Sequence, residues 1–311
     1  MQLSRLLLLL VPLAGAAELA FDLFFATRAP LLSEWVELGG HLPLGESRGN
    51  ERPLLVVAPA WAEPLARQAL GDAAMPLSDL GRADVSGYAR AVEISLFGER
   101  SPELGAAKFR EVATEVHGKF TLRTLENPGY EPSVYSFVDH VRPSELAVVE
   151  WNGEAERSCE FTARAPSSTG GLGGHNAYPR ERFRCSGAEA FFVGVTIVDD
   201  QRYRPRRCIY AHPPINANLH LRFPRVPTGK KIKGYAGESF LIARDAVNGA
   251  VEFAVFVDAR EVGRRVFKST DGFMPFEFAL PAGHAATMEV TFQIQSGEPR
   301  EREFCFQAEV R

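Results

Sequence analysis

The stretch VEFAVFVDAREVGRRVF, Val251–Phe267, decides the fold. Val251, Phe253, Val255 and Val257 fall on one side of a strand, because successive side chains in a strand point to opposite faces. Asp258–Glu261 (DARE) then turns the chain back into a second strand, as in a hairpin. The two-residue period returns at Met288, Val290, Phe292 and Ile294, and again at Phe304, Phe306, Ala308 and Val310. From Arg206 onward eight such runs follow one another: CIYAH, NLHLRF, SFLIAR, VEFAVFV, REVGRRVF, FEFAL, MEVTFQI and FCFQAEV. Eight antiparallel strands in about 105 residues predict a β-sandwich of jelly-roll type.

Residues 131–205 are also β-rich, with LAVVEW, CEFTARA, ERFRCS and AFFVGVTIV as short strands. A glycine-rich loop, APSSTGGLGGHNAYPRERF, interrupts them. Residues 28–130 differ in character. Asp22 to Leu42 carries a helical stripe (Leu31, Leu32, Trp35, Val36, Leu38) that ends at Gly39-Gly40. PLLVVAPA (Pro53–Ala60) is a buried strand, and AEPLARQALGD is a helix with Pro64 in its first turn and Gly71 at its end. Asp84 is the expected N-cap of a further helix running through Tyr88 to Leu96. REVATEVHGKFTLRTL alternates on both sides of His117-Gly118, as a hairpin does. The expected fold class is therefore α+β and multidomain: a small N-terminal α/β domain (28–130), then mostly antiparallel β (131–205), ending in a jelly-roll β-sandwich (206–311).

The first residues point to export. Arg5 precedes an apolar run, Leu6 to Ala17, that closes on Ala14-Gly15-Ala16. This is the form of a secretory signal peptide over residues 1–17. The run falls short of the roughly 20 apolar residues of a membrane helix. The expected location is periplasmic or secreted, or tethered to a membrane and facing outward if the segment stays uncleaved. Membrane contact is expected only in that last case. The four cysteines (Cys159, Cys185, Cys208, Cys305) suit an oxidising compartment and allow three pairings. The favoured one is Cys159–Cys185 with Cys208–Cys305. These close loops of about 27 and about 98 residues, worth about 3 to 5 kcal/mol each by chain entropy. A net charge of −4 with no basic stripe argues against nucleic acid as a partner.

Chemistry-bearing motifs are sparse. GESRG (Gly45–Gly49) matches the GxSxG nucleophile pattern, but it lies between a helix and a strand, not on a strand-to-helix elbow. PTGKKIKGY lacks P-loop spacing. Among the seven histidines none pairs at HxH or HxxxH spacing. No cofactor is expected beyond a structural calcium at Asp199 and Asp200, whose carboxylates offer the clustered hard oxygens that calcium needs. The competing reading of those aspartates is pairing with Arg202 and Arg204.

VTIVDDQRYRPRRCIYAHPP (Val195–Pro214) concentrates four arginines, Arg202, Arg204, Arg206 and Arg207, just after the two aspartates. Two readings stand. It is a salt-bridge network at the seam between the middle segment and the sandwich, or a site for an anionic sugar or phosphate. Candidate ligand-binding residues are Trp151, His175, Asn176, Arg180, Arg202, Tyr203 and Arg204, with Tyr178 and Tyr210 as further stacking rings. A second candidate pocket is Trp61 with Glu63, just past the carboxyl end of a strand, where open α/β sheets bind ligands.

Two resemblances follow from these residues. VDAREVGRRVFKSTDGFMPFEFALPAG resembles the later strands of galactose-binding-like jelly rolls, which include many carbohydrate-binding modules. There a V-V-D-G-x-x-V-G hairpin precedes a D-G-W/F-x-x-F-x-F strand. Asp258, Gly263, Asp271, Gly272, Phe273, Phe276 and Phe278 match. The likeness covers about a third of the chain and implies a jelly roll with a carbohydrate ligand. RPLLVVAPAWAEPLARQALGD with HGKFTLRTLENP resembles the soluble extracytoplasmic domain that follows the last membrane helix of polyprenyl-phosphate-sugar glycosyltransferases. Leu6 to Ala26 would then be a remnant of that helix. The catalytic acidic residues of those enzymes lie in membrane loops that this chain lacks, so the likeness implies a detached accessory domain.

The expected function is an exported, non-enzymatic accessory protein that binds carbohydrate or cell-envelope glycan through its β-sandwich region. The first alternative is a structural or protein-interaction component of an envelope complex, with an envelope protein as partner. The second is a glycan-active hydrolase, which would need two carboxyl groups facing each other across a cleft.

Overall fold

The structure is a computed structural model that describes residues 14–20, 29–43, 52–166, 178–185, 191–201, 203–214, 216–239, 250–283, 285–297 and 303–311. The chain forms two compact units. One comprises Met1–Pro76 with Tyr88–Gly129; the other comprises Leu77–Gly87 with Tyr130–Arg311. The expected boundary at 28–130 thus gives up an internal segment, Leu77–Gly87, to the second unit. Residues 14–20 are helical. No helix among the described residues is long and apolar enough to cross a membrane.

The first unit has a four-stranded sheet. Its strands are β1 (Leu54–Ala58), β2 (Arg90–Leu96), β3 (Arg110–His117) and β4 (Phe120–Glu126), in the order β1-β2-β4-β3. β1 and β2 are parallel and the other pairs antiparallel. β1 is buried along its whole length, as an all-apolar LLVVA strand covered on both faces should be. The helix Leu32–Gly39 buries Trp35 and Leu38, and Trp35 meets Phe120 of β4 edge-on with ring centroids 4.7 Å apart. This helix is shorter than Asp22–Leu42. It starts after Pro30 and Leu31, and residues 22–28 lie outside the described set.

The helix expected from Asp84 through Leu96 is not formed. Arg90–Leu96 is strand β2, and its period explains why: Val92, Ile94 and Leu96 alternate with Ala91, Glu93 and Ser95. Both faces are buried, so the polar residues of the second face carry their own partners. Glu93 accepts from the Ser101 backbone N–H (2.5 Å) and from Arg123 (3.1 Å). Asp84 caps a turn instead, accepting from the N–H and hydroxyl of Ser86 two residues on.

The second unit is a β-sandwich. Its strands are β5 (Tyr135–Ser136), β6 (Ala147–Trp151), β7 (Glu156–Ser158), β8 (Glu160–Thr162), β9 (Arg182–Arg184), β10 (Phe192–Asp199), β11 (Pro205–Ala211), β12 (Asn218–Pro227), β13 (Lys231–Glu238), β14 (Val251–Val257), β15 (Arg260–Phe267), β16 (Met274–Ala279), β17 (Thr287–Ser296) and β18 (Phe304–Val310). One sheet runs β16-β13-β18-β11-β10-β9-β8, with β5 on β18; the other runs β15-β14-β17-β12-β6-β7. The last eight strands supply β11-β18-β13-β16 to one sheet and β12-β17-β14-β15 to the other. First pairs with last, second with next-to-last, and the chain crosses between sheets at nearly every connection. That is jelly-roll topology.

Phe223, Phe253, Phe292, Phe304 and Phe306 fill the space between the sheets, with Phe253 and Phe292 centroids 5.2 and 4.9 Å from Phe306. Burying each such ring is worth about 1.5–3 kcal/mol.

Two expectations need correcting. Residues 131–205 are not a separate segment. β6 and β7 extend the sheet of β12, and β8, β9 and β10 extend the sheet of β11. Within 206–311 the strand KIKGYAGE (β13) goes unrecognised in the sequence because lysines and glycines break its apolar period. The expected SFLIAR strand lies outside the described residues beyond Ser239. Both expected disulfides are present: Cys159–Cys185 with Cα atoms 4.4 Å apart, and Cys208–Cys305 at 5.7 Å. The second ties the first and last strands of the jelly roll, which are neighbours.

Candidate functional site

The arginine-rich stretch is the turn of the β10–β11 hairpin, with Asp199 opposite Pro205. Asp200 is its anchor. Its carboxylate accepts from the Arg204 N–H (3.0 Å), from Arg204 Nε (3.2 Å) and from Nε and Nη2 of Arg206 (3.1 and 3.0 Å). Arg206 also donates to the carbonyls of Arg82 and Ala83. It thereby fastens Leu77–Gly87 as a strap over the outer face of the larger sheet. The network belongs to one unit and one sheet, so it is not a seam between a middle segment and the sandwich. Asp200 pairs with Arg204 and Arg206, while Arg202, the other arginine expected to pair with the aspartates, lies outside the described residues; Asp199 is exposed. Among the described residues no three His, Cys, Asp or Glu side chains gather to hold a metal.

The strap is held by further contacts. Gly81 lies against Arg207, where a Cβ would come 2.6 Å from the backbone nitrogen, and its carbonyl accepts from that nitrogen (3.0 Å). Ser86 Oγ receives Lys233 Nζ (2.8 Å) and Arg311 Nη1 (2.5 Å). A serine beside a lysine is one nucleophile pattern. Here Lys233 is also ion-paired with Asp84 (3.1 Å) and Glu131 (3.5 Å), so Ser86 is the hub of a clamp.

The expected site residues scatter. Tyr203 is 68% exposed at the tip of the β10–β11 turn, with φ 56°. Arg180 is exposed at the end of the loop before β9, and its carbonyl accepts from Ala165. Tyr210 and Tyr178 are not free platforms: they pack on Phe192 (4.4 and 5.1 Å between centroids) in a small core on the outer face of the larger sheet, beside the Cys208–Cys305 bridge. His175, Asn176, Arg202 and the GESRG stretch lie outside the described residues.

In the first unit Trp61 sits past the carboxyl end of β1 and Phe97 past that of β2, both exposed, with centroids 6.4 Å apart. Glu63 opens the following helix, Glu63–Leu70. Phe97 had no signal in the sequence, because only the pairing of β1 with β2 brings it beside Trp61. A cleft in the same unit is lined by Glu34, Glu37, His41, His117 and Lys119. The His41 and His117 rings meet there at 4.5 Å from distant segments, while Lys119 pairs with Glu34 (3.1 Å) and His117 with Glu115 (3.2 Å).

Trp151 stands on a different surface, the outer face of the six-stranded sheet. Leu219, Leu221 and Phe223 of β12 point into the core, so Asn218, His220 and Arg222 point out. Trp151 is 38% exposed beside them, and its ring lies nearly parallel to His220, at 24° with centroids 6.2 Å apart. Burial and the adjacent Arg222 hold the His220 imidazole below its ordinary pKa, against the opposing pull of Glu156 and Gln293. Arg222 pairs with Glu156 of β7 (3.1 Å), a hydrogen bond that keeps that carboxyl below the usual range. Gln295 donates to Glu252 (2.9 Å), and Arg264 pairs with Glu252 and Glu261. The result is a polar face with Trp151 and a half-buried Phe256, the amides of Asn218, Gln293 and Gln295, and self-paired charges.

No known protein-family profile matches the chain, and no curated protein matches it. Solved structures with some likeness include a Clostridium perfringens ZmpB fragment, "CBM51-2 in complex with GlcNAc and INT domains". It is 10% identical over 66% of this chain and 40% of its own, with a TM-score of 0.30. A CBM51 from Clostridium perfringens GH95 in complex with methyl-galactose is 8% identical over 37% of this chain and 80% of its own, at 0.25. A cleaved adhesin domain of Lys-gingipain from Porphyromonas gingivalis is 12% identical over 57% and 95%, at 0.32. The chain spans only a fifth of another ZmpB structure that it matches, one holding a catalytic domain with two CBM51 domains. The fold itself is an α+β chain whose second unit is a jelly-roll β-sandwich.

Proposed function

We propose that this protein is an exported, non-enzymatic accessory protein that binds carbohydrate on the outer face of the six-stranded sheet, with Trp151 as the stacking ring. The single observation that supports this most is the placement of Trp151: a large flat ring, partly exposed, beside neutral hydrogen-bonding amides. Sugar rings offer an apolar C–H face and a polar rim of hydroxyls, and an aromatic ring flanked by amides matches both. Glu156 of this face does not suit the acid role in a hydrolase. Glycosidases need one acid held protonated, whereas arginine pairing keeps Glu156 ionised. Export is supported by the leader-like first residues and by the two disulfides.

The test is a glycan-array screen of the purified chain beside Trp151→Ala and Arg204→Ala. The reading expects binding that Trp151→Ala abolishes and Arg204→Ala retains. Loss in Arg204→Ala alone would move the site to the arginine turn.

A second reading rests on the first unit. Leu31, Leu32, Val36, Trp61, Phe97, Val112 and Val116 are all exposed there. Exposed apolar residues at this density favour a docking role toward an envelope protein, alongside sugar binding by the second unit.

A further inference from the structure

We infer that the ligand is a neutral glycan chain lying across the strands and contacted over several consecutive sugars, not a single terminal sugar. This deepens the carbohydrate reading above and rests on it.

The strand register carries the inference. Glu156 of β7 is opposite Trp151 of β6, and Trp151 is opposite Asn218 of β12. Extending the Leu219–Ile294 pairing by one residue sets Asn218 beside Gln295 of β17. Gln295 is opposite Glu252 of β14, and Glu252 opposite Val266 of β15. One continuous row thus runs over all six strands, and each of its residues is exposed or half-buried. In the adjoining row Val149 and Ala254 are buried on either side of His220 and Gln293, and Arg264 stands exposed at the β15 end.

Five gaps of about 4.8 Å make a track of about 24 Å, roughly the span of four or five pyranose rings joined end to end. The track reaches both edge strands of the sheet, β7 and β15, so a polymer can enter at one edge and leave at the other. Its charges select against anionic chains. Arg222 is already paired with Glu156, and Arg264 with Glu252 and Glu261, so an acidic sugar would have to displace a carboxylate to find a cation.

The test is calorimetric titration with oligosaccharide ladders of one to six units. The neutral ladders are cello-, xylo-, manno- and N-acetylchito-oligosaccharides, with oligogalacturonates as the acidic comparison. Wild type, Trp151→Ala and Gln295→Ala are measured, each checked for an unchanged melting temperature. Affinity should rise at least tenfold from two to five units of a neutral ladder and then level off. Gln295→Ala should weaken five-unit binding several-fold. A monosaccharide that binds as tightly as the pentamer, or preference for the acidic ladder, with Trp151 still required, would overturn the inference and leave the carbohydrate reading standing. Silence on every ladder and on the array would overturn both.

Discussion

Arg206 and Asp200 form a buried ion pair inside one hairpin: Nη2 lies 3.0 Å from Oδ2, and their side chains are 6% and 4% exposed. The same guanidinium holds two carbonyls of the strap Leu77–Gly87. Removing one partner therefore strands a buried charge. Asp200→Ala should cost about 3–5 kcal/mol, while an apolar replacement of both partners should cost less. Urea melts of the single and double variants check this. A single variant within about 1 kcal/mol of wild type, the scale of a solvent-exposed ion pair, would mean the pair is solvated and the strap is held elsewhere.

The strap makes a second prediction, through pH. Burial opposes ionisation of Asp84, but the Ser86 hydrogen bonds and the charges of Lys233 and Arg311 outweigh it, so its pKa is depressed. A carboxyl with a depressed pKa binds its proton more weakly in the folded chain than in the unfolded one. It stabilises the fold above the unfolded value, near 4, and that contribution is lost as pH falls through the folded value. Asp84→Asn should cost about 1–3 kcal/mol at pH 7. The gap from wild type should shrink toward pH 3. A gap that stays constant in acid would show that Asp84 acts by shape alone.

The disulfides differ in what they span. Cys208–Cys305 closes 97 positions and Cys159–Cys185 closes 26. Chain entropy makes the longer loop worth about 1 kcal/mol more. Replacing each pair with alanines should lower the melting temperature in both cases, and further for Cys208/Cys305. The reverse order in differential scanning calorimetry would assign the larger role to the short bridge.

Gly263 and Phe278, two residues of the motif that pointed to a jelly roll, are in contact. A Cβ on Gly263 would clash with the Phe278 ring at its Cδ1. The glycine is therefore there for close approach between β15 and β16. Gly263→Ala should destabilise by about 1–3 kcal/mol through overpacking. The cost should shrink in a Phe278→Ala background. Equal costs in both backgrounds would sever the link between the two residues.

These contacts show what was legible in the sequence. Val251, Phe253, Val255 and Val257 announce a strand because one side faces the core and the other does not. Cys208 and Cys305 announce their pairing because a jelly roll sets its first and last strands side by side. Val92, Ile94 and Leu96 carried the same two-residue signal, but Ala91, Glu93 and Ser95 are buried as well, and a strand covered on both faces loses its contrast. The strap was illegible for another reason. Leu77–Gly87 interrupts the first unit in sequence, and only long-range contacts such as that of Gly81 with Arg207 assign it to the second.

Of the candidate site, the sequence offered Trp151 only as one of four candidate stacking rings, with Tyr178, Tyr203 and Tyr210. Its neighbours Asn218, Gln295 and Glu252 were not legible, because they come from strands far away in sequence and share a face only through register.

The most direct test of the proposed sugar-binding face uses the three tryptophans as separate reporters. Trp35 is buried, Trp61 is exposed in the first unit and Trp151 lies on the six-stranded face. Fluorine NMR of 5-fluorotryptophan-labelled protein, assigned by single Trp→Phe variants, would be recorded while each neutral ladder is titrated. The account predicts that the Trp151 resonance shifts with saturation while Trp35 stays fixed. A Trp61 shift with Trp151 unmoved, or no shift with any ladder, would contradict it.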